Sequence, residues 1–359
     1  MTKNEPHPSL NELVDLVAQR TMQMDLAWDW PAGVAFHGLA RAYQATGRQE
    51  YLDFLVQWTD QRLKNGLPKL TVNAVSLGHL MIALADSTGD ERYLRTAEQM
   101  ADYLTKDAVR FGDGVLQHTV SQNYSFPEQA WADTLFMAAL FLLKLGVRQT
   151  QPAWIADALN QYYWHEEFLQ NNETNLYYHG WDNLAKNHLS GIHWARANAW
   201  AAVTAANALR QINAMNPSFM CIADSLRDQL GALARLQTPA GLWTTVLTDP
   251  TSYEETSASA GIGAALVIFS RVFNYDLYDE AIARALGGIR QNVAADGTVR
   301  NVSAGTAVMP DVAAYKKIPR KRIQGWGQGL TLAFLAELLE RPNSALTPLA
   351  VATPLAVAP

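Results

Sequence analysis

Two stretches of this chain are copies of one unit. GVAFHGLARAYQATGRQEYLDFLVQW starts at Gly33 and SLGHLMIALADSTGDERYLRTAEQMADYL at Ser76, with Gly47 aligned to Gly89 and Tyr51 to Tyr93, each pair 42 residues apart. Each copy reads as an apolar helix, a Thr-Gly turn and an amphipathic helix, and a repeat of this length signals stacked helical hairpins. A helix that is apolar all round must be covered on every side, whereas an amphipathic one can face water. The alternation therefore predicts two concentric layers, apolar helices inside and amphipathic helices outside.

Helical periodicity predicts twelve segments, near residues 9–24, 33–46, 50–64, 73–87, 91–105, 128–145, 151–169, 192–213, 218–236, 257–272, 276–291 and 324–340. Six hairpins closed into an (α/α)6 barrel bury the inner set completely, while an open solenoid would expose its ends and need polar capping repeats. The expected fold is all-α, a single (α/α)6 barrel over residues 1–340. After Glu340 the chain reads RPNSALTPLAVATPLAVAP, with a repeated TPLAVA and four prolines, so residues 341–359 are expected to leave the barrel as a Pro/Ala-rich tail.

The later hairpins are longer, and their surplus falls in loops with short glycine-led apolar pieces: DGVLQH at Asp113, NLYYHG at Asn175, GLWTTV at Gly241 and DGTVRN at Asp296. Each lies ahead of one of the more apolar helices. These loops should therefore gather at one end of the barrel, as short β-like segments around a mouth into which the inner helices point their N-termini.

Several function classes lack support. A net charge of −6, with no basic run longer than KKIPRKR near Lys316, argues against a nucleic-acid partner. MTKNEPHPSL lacks the apolar core of a signal peptide and no apolar segment is expected to reach membrane-spanning length, so the reading is a soluble, cytoplasmic chain without a membrane partner. Cys221 is the only cysteine, which rules out internal disulfides and thiolate-pair zinc sites; its apolar helical surroundings predict a buried, inert thiol. His179, His188 and His193 lack the paired spacing of zinc enzymes, and phosphate-loop, dinucleotide and serine-nucleophile motifs are missing, so neither metal nor cofactor is expected.

One acidic residue stands out. In SQNYSFPEQAWADTLFMAALFLLKLG, Ser125 and Glu128 have capping-box spacing and Pro127 suits a first turn, so an inner helix is expected to start there with Asp133 at its mouth, beside Trp131. Apolar surroundings would raise the pKa of that carboxyl, while helix N-terminal amides would lower it. Other mouth motifs each precede or open an apolar helix. WDWPAG contributes Trp28, Asp29 and Trp30; TVNAVSLG contributes Asn73; YYHGWDN contributes Tyr178, His179 and Trp181. GIHWARANAW adds His193, Trp194, Arg196 and Asn198, YEETSASAG adds Glu255, Thr256 and Ser257, and QGWGQG adds Trp326. Asp29 is counted with Trp30 among the substrate-binding residues, beside a plain structural reading as an N-cap. Arg196, a cation in a helix's first turn, suits anion binding better than capping, and a guanidinium can grip a carboxylate such as a uronate with two parallel bonds.

Taken together, WDWPAGVAFHGL, SFPEQAWADTLFMA, GIHWARANAW and GLWTTVLTDPTSYEETSASAG resemble, in order and from about Trp28 to Leu339, the unsaturated rhamnogalacturonyl hydrolases of glycoside hydrolase family 105. More distantly they resemble the unsaturated glucuronyl hydrolases of family 88. The resemblance implies an (α/α)6 barrel that removes a 4,5-unsaturated uronic acid from the non-reducing end of lyase-generated oligosaccharides by hydrating the vinyl ether, with rhamnose the leaving-side sugar. It implies Asp133 as general acid and base, which would need a protonated fraction near neutral pH, so the apolar wall is expected to outweigh the helix amides. It further implies Arg196 holding the uronate with Trp194 beside it, His179 and Trp131 on the sugar, and the two tryptophans of WDW walling the pocket. Asn73 stands where relatives often carry a second aspartate; an amide can orient a ring or a water but cannot share a proton. The alternatives are another (α/α)6 carbohydrate enzyme, such as a sugar 2-epimerase or a two-acid glycosidase, or a non-catalytic sugar-binding barrel.

Overall fold

A computed structural model describes residues 8–122 and 126–340. All twelve expected helices are present: α1 (Leu10–Met22), α2 (Trp30–Thr46), α3 (Gln49–Leu63), α4 (Gly78–Thr88), α5 (Glu91–Asp102), α6 (Leu140–Arg148), α7 (Pro152–Leu169), α8 (Ala195–Gln211), α9 (Ser218–Arg235), α10 (Thr256–Phe273), α11 (Asp279–Asn292) and α13 (Gly325–Glu340). A short 3-10 turn, Ala74–Leu77, leads into α4, and a π turn, Leu135–Ala139, leads into α6. The short helix α12 (Val312–Lys316) was not expected from periodicity, since five residues span little more than one turn.

The inner ring runs α2, α4, α6, α8, α10, α13 and closes where α13 packs against α2; α1, α3, α5, α7, α9 and α11 form the outer ring. In α10 every residue from Thr256 to Ser270 is buried, whereas α5 buries only Tyr93, Leu94, Ala97, Met100 and Ala101, a single stripe at helical spacing. The sequence repeat carries its chemistry into three dimensions. Gly47 and Gly89 both end inner helices with left-handed backbones, φ 68° and 72°, and Thr46 and Thr88 each donate to the carbonyl four residues back. Tyr51 donates to Asp15 of α1 and Tyr93 to Asp60 of α3, so each repeat ties its outer helix to the preceding one.

Two expectations are corrected here. By length and composition α10 does reach what a membrane span needs, but 83% of it is buried, as the barrel's inner layer requires. Cys221 is exposed rather than buried, because it falls on the outward face of outer helix α9. The tail expected at residues 341–359 lies outside the described residues.

The N-termini of the inner helices share one end. Trp30 of α2 stacks on Trp326 of α13, Arg196 of α8 meets Glu255 at the start of α10, and Gly33 abuts Ser76 ahead of α4. Two small antiparallel pairs gather there, β1 (Arg110–Phe111) with β2 (Val115–Leu116) at the expected Asp113 loop and β3 (Gln129–Trp131) with β4 (Gly180–Asp182) at the end of the Asn175 loop. The expected Gly241 and Asp296 loops form only isolated bridges. At the opposite end, Arg41, Arg210 and Arg271 converge on Glu337, whose carboxyl they hold down at about 2 against the opposing effect of burial.

Candidate active site

Long-range pairing delivers Asp133. Trp131 pairs with Gly180 across β3 and β4, and the Ala132 amide donates to the His179 carbonyl at 3.1 Å, so Asp133 and His179 emerge side by side. This pairing overturns the expected helix start. Glu128 sits at φ 50°, its amide bonds Gln117 and its carboxylate accepts from Asn183, so it caps nothing; helical backbone begins only at Asp133. Ser125, the other half of the expected capping box, lies outside the described residues.

The Asp133 Oδ2 lies 3.4 Å from His179 Nε2, with the Asp133 side chain 14% exposed and that of His179 fully buried. On its other nitrogen, Nδ1, His179 meets the Tyr315 hydroxyl at 2.7 Å. Burial pushes the Asp133 carboxyl up, but the close approach of His179, with His118 and Arg196 beyond, outweighs it and holds the carboxyl below its ordinary value. The expected upward shift is therefore corrected, because the apolar wall contains two imidazoles and a guanidinium that the local sequence of Asp133 does not reveal. Burial in turn pushes His179 down, against the raising effect of Asp133, which favours the neutral ring.

Aromatic rings enclose this pair. Trp131 stacks on His118 at 4.3 Å and meets His179 edge-on, while Trp194 lies 4.1 Å from His179 on the other side. The Arg196 guanidinium lies over Trp194 at 4.4 Å, and both of its terminal nitrogens have acceptors. Nη1 bonds Ser303 Oγ at 2.7 Å and Glu255 at 3.3 Å, and Nη2 bonds the Ala304 carbonyl at 3.0 Å and Thr306 at 3.2 Å.

The remaining expected residues divide. Trp30 reaches the same end through Trp326, which lies 5.5 Å from the Arg196 guanidinium. Asp29 accepts from the Trp30 amide at 2.8 Å and caps α2, its plain structural reading. Trp28 turns away to stack on Trp58 of α3, so the two tryptophans of WDW do not wall one pocket. Asn73 is buried, with its amide on the Thr119 carbonyl and its carboxamide oxygen unpartnered. His118, Tyr315 and Ser303 complete the cluster without having been singled out. His118 ends the glycine-led loop at Asp113 and was findable on that ground; Tyr315 and Ser303 lie in stretches with no such signal.

The family model described as Glycosyl Hydrolase Family 88 matches residues 10–341. The unsaturated rhamnogalacturonyl hydrolase YesR of Bacillus subtilis (strain 168) is 53% identical over 332 residues, covering 92% of this chain and 95% of that protein. A crystal structure of a possible GH105 family member from Klebsiella pneumoniae superposes with a TM-score of 0.87 at 28% identity, covering 95% of this chain and 96% of that one. One from Salmonella enterica gives 0.85 at 26%, covering 94% and 96%. The match extends from the first outer helix to the last inner one, so the resemblance carried by the mouth motifs extends to the whole barrel: the chain belongs to glycosyl hydrolase family 88.

Proposed function

We propose that this protein removes the 4,5-unsaturated uronic acid from the non-reducing end of oligosaccharides left by polysaccharide lyases, with Asp133 as its acid and base. The observation that carries the reading is a carboxylate and an imidazole 3.4 Å apart, flanked by Trp131 and Trp194, at the N-terminal mouth of the barrel. Aromatic faces suit the C–H faces of a sugar ring.

In the reaction, the Asp133 carboxyl gives its proton to C4, and the C4=C5 electron pair forms the new C–H bond. The positive charge left at C5 is shared with the ring oxygen. Water adds at C5 and returns a proton to Asp133, and the hemiketal opens to release the neighbouring sugar and a keto acid. No covalent sugar–enzyme bond is required, so carboxylate spacing does not predict stereochemistry as in ordinary glycosidases.

The free carboxyl is held below its ordinary value, so the proton must be loaded when substrate binds. The substrate supplies the means. Its own uronate, one bond from C5, brings a like charge next to Asp133 and expels water, and both effects favour the protonated acid. Arg196, with acceptors already on both terminal nitrogens, serves the uronate better as a buried positive charge beside Trp194 than as an open two-pronged clamp. Asn73, with its free carboxamide oxygen, is suited to accept from a sugar hydroxyl or the attacking water.

A two-acid glycosidase would need a second free carboxyl here, and Glu255 is engaged by Arg196 and by the Ala258 amide. Rhamnose as the leaving sugar rests on the family's motifs and on the name of the Bacillus relative, and pectic rhamnogalacturonan is the matching polymer. The test is incubation with unsaturated disaccharides from rhamnogalacturonan, ulvan and glycosaminoglycan digests, following loss of the ultraviolet absorbance of the conjugated double bond. Wild-type turnover, with Asp133→Asn binding but not bleaching the rhamnogalacturonan product, is the expected result; no bleaching by wild type on any of the three removes the reading.

A further inference from the structure

Tyr315 is fully buried, lies on α12 beyond any motif, and puts its hydroxyl on the nitrogen of His179 that faces away from Asp133. The Met309 amide donates to that phenol oxygen at 3.3 Å, leaving the phenol's own proton free to point at His179 Nδ1. Burial raises the phenol's pKa, so the hydroxyl keeps that proton at any working pH. An imidazole that accepts at Nδ1 carries its proton on Nε2, the nitrogen 3.4 Å from the Asp133 carboxylate.

The mount is rigid. Asp311 caps α12 through the Ala314 amide at 2.7 Å, Lys316 reaches Asp249 at 3.0 Å and Thr251 at 2.7 Å, and Tyr253 donates to the Tyr315 carbonyl at 3.3 Å. The same connection between α11 and α13 supplies Ser303, Ala304 and Thr306 to Arg196. One loop therefore backs both the imidazole and the guanidinium that flank the acid.

From this geometry we infer that Tyr315 is a positioning residue for the reaction: its hydroxyl fixes His179 as the Nε2–H tautomer, with that proton on the nitrogen nearest Asp133. The inference rests on the hydrolase reading for its kinetic consequence, but not for the tautomer itself. In that role Tyr315 acts only through His179. It touches neither acid nor sugar, so its loss lowers turnover and leaves substrate affinity alone.

Tyr315→Phe keeps the buried ring and removes the hydroxyl. On the unsaturated rhamnogalacturonan disaccharide, the expected result is a fall in kcat of about tenfold, the scale of one lost hydrogen bond, with KM within about twofold. In a His179→Gln background the same change should cost nothing further, because the two residues act as one unit. Nitrogen-15 NMR of labelled wild-type enzyme should show a protonated Nε2 and bare Nδ1 at His179, and Tyr315→Phe should lose that preference. An unchanged kcat, a loss confined to KM, or costs that multiply with those of His179→Gln would each overturn the inference. So would an Nδ1–H tautomer in the wild type. A wild type with no turnover would remove the hydrolase reading, while the NMR result would still decide the tautomer.

Discussion

Arg196 and Glu255 face each other across the starts of two inner helices, guanidinium to carboxylate at 3.3 Å, with side chains 2% and 0% exposed. Glu255 also accepts from the Ala258 amide at 2.6 Å and the Ser303 amide at 2.8 Å, so one carboxylate caps α10, anchors the mouth loop and balances the buried cation. Glu255→Gln should be strongly destabilising. Its new amide would point a donor at groups that are themselves donors, and Arg196 would lose its counter-charge, a loss worth about 3–5 kcal/mol for a buried pair. Urea denaturation measures this directly; a change below about 1 kcal/mol, the surface-pair range, would mean the guanidinium is effectively solvated.

If substrate loads the acid with its proton, the free enzyme and the complex must titrate differently. As pH rises, the rate falls when the Asp133 carboxyl ionises. In the free enzyme that carboxyl sits below its ordinary value, held there against burial by His179, His118 and Arg196. In the complex the uronate raises it. The descending limb of kcat should therefore lie at higher pH than that of kcat/KM, since the first reports the complex and the second the free enzyme. Coincident limbs would mean that substrate charge does not reach the acid.

Acid should unfold this barrel early, for a reason set by its histidines. Burial lowers His79 to about 3 and both His118 and His165 to about 4, from an ordinary 6.5. Between those limits the unfolded chain binds protons that the folded one refuses, so stability rises with pH across the window and is lost as pH falls through it. His165 is the cleanest probe, lying outside the candidate site with Nδ1 on the Gln161 carbonyl and Nε2 unpartnered. His165→Gln should flatten the slope of unfolding free energy between pH 5 and 6 by about 1.4 kcal/mol per pH unit, the value of one proton. An unchanged slope would place that proton elsewhere.

The barrel was legible in the sequence because its cause is local: an inner helix has to be apolar all round, and the repeat marks the first two hairpins with the same Thr-Gly stop. Asp133, Arg196, Trp194 and Trp326 were legible as motif residues at the ends of those helices. What sequence could not give was whatever depends on pairing across the mouth. Gln129 to Trp131 looked helical because Ser125 and Glu128 have capping-box spacing, yet β4, some fifty residues on, takes them as a strand. The Asp133 pKa came out with the opposite sign because burial, the largest single effect, is outweighed by His179, 46 residues away, together with His118 and Arg196, none of them in its own motif. Arg196 looked free for a ligand because Ser303, Ala304 and Thr306, which occupy it, lie more than a hundred residues on.

The glycines of QGWGQG, legible only as neighbours of Trp326, turn out to form the seam that closes the ring. A Cβ at Gly38 of α2 would lie 2.1 Å from the Gly329 carbonyl oxygen of α13, and one at Gly329 would lie 2.0 Å from the Val34 carbonyl oxygen. Backbone cannot step aside as a side chain can, so Gly38→Ala must push two inner helices apart. Overpacking a core costs typically 1–3 kcal/mol, and this site belongs at about the upper end. Gly287 of outer helix α11 has nothing within 4 Å of its would-be Cβ, and there the same substitution removes only backbone freedom from the unfolded chain. Gly287→Ala should therefore stabilise by about 0.4–1 kcal/mol. Thermal melts of the two variants should move in opposite directions; a shared direction would mean that helix propensity, not the approach of α2 to α13, decides what these positions tolerate.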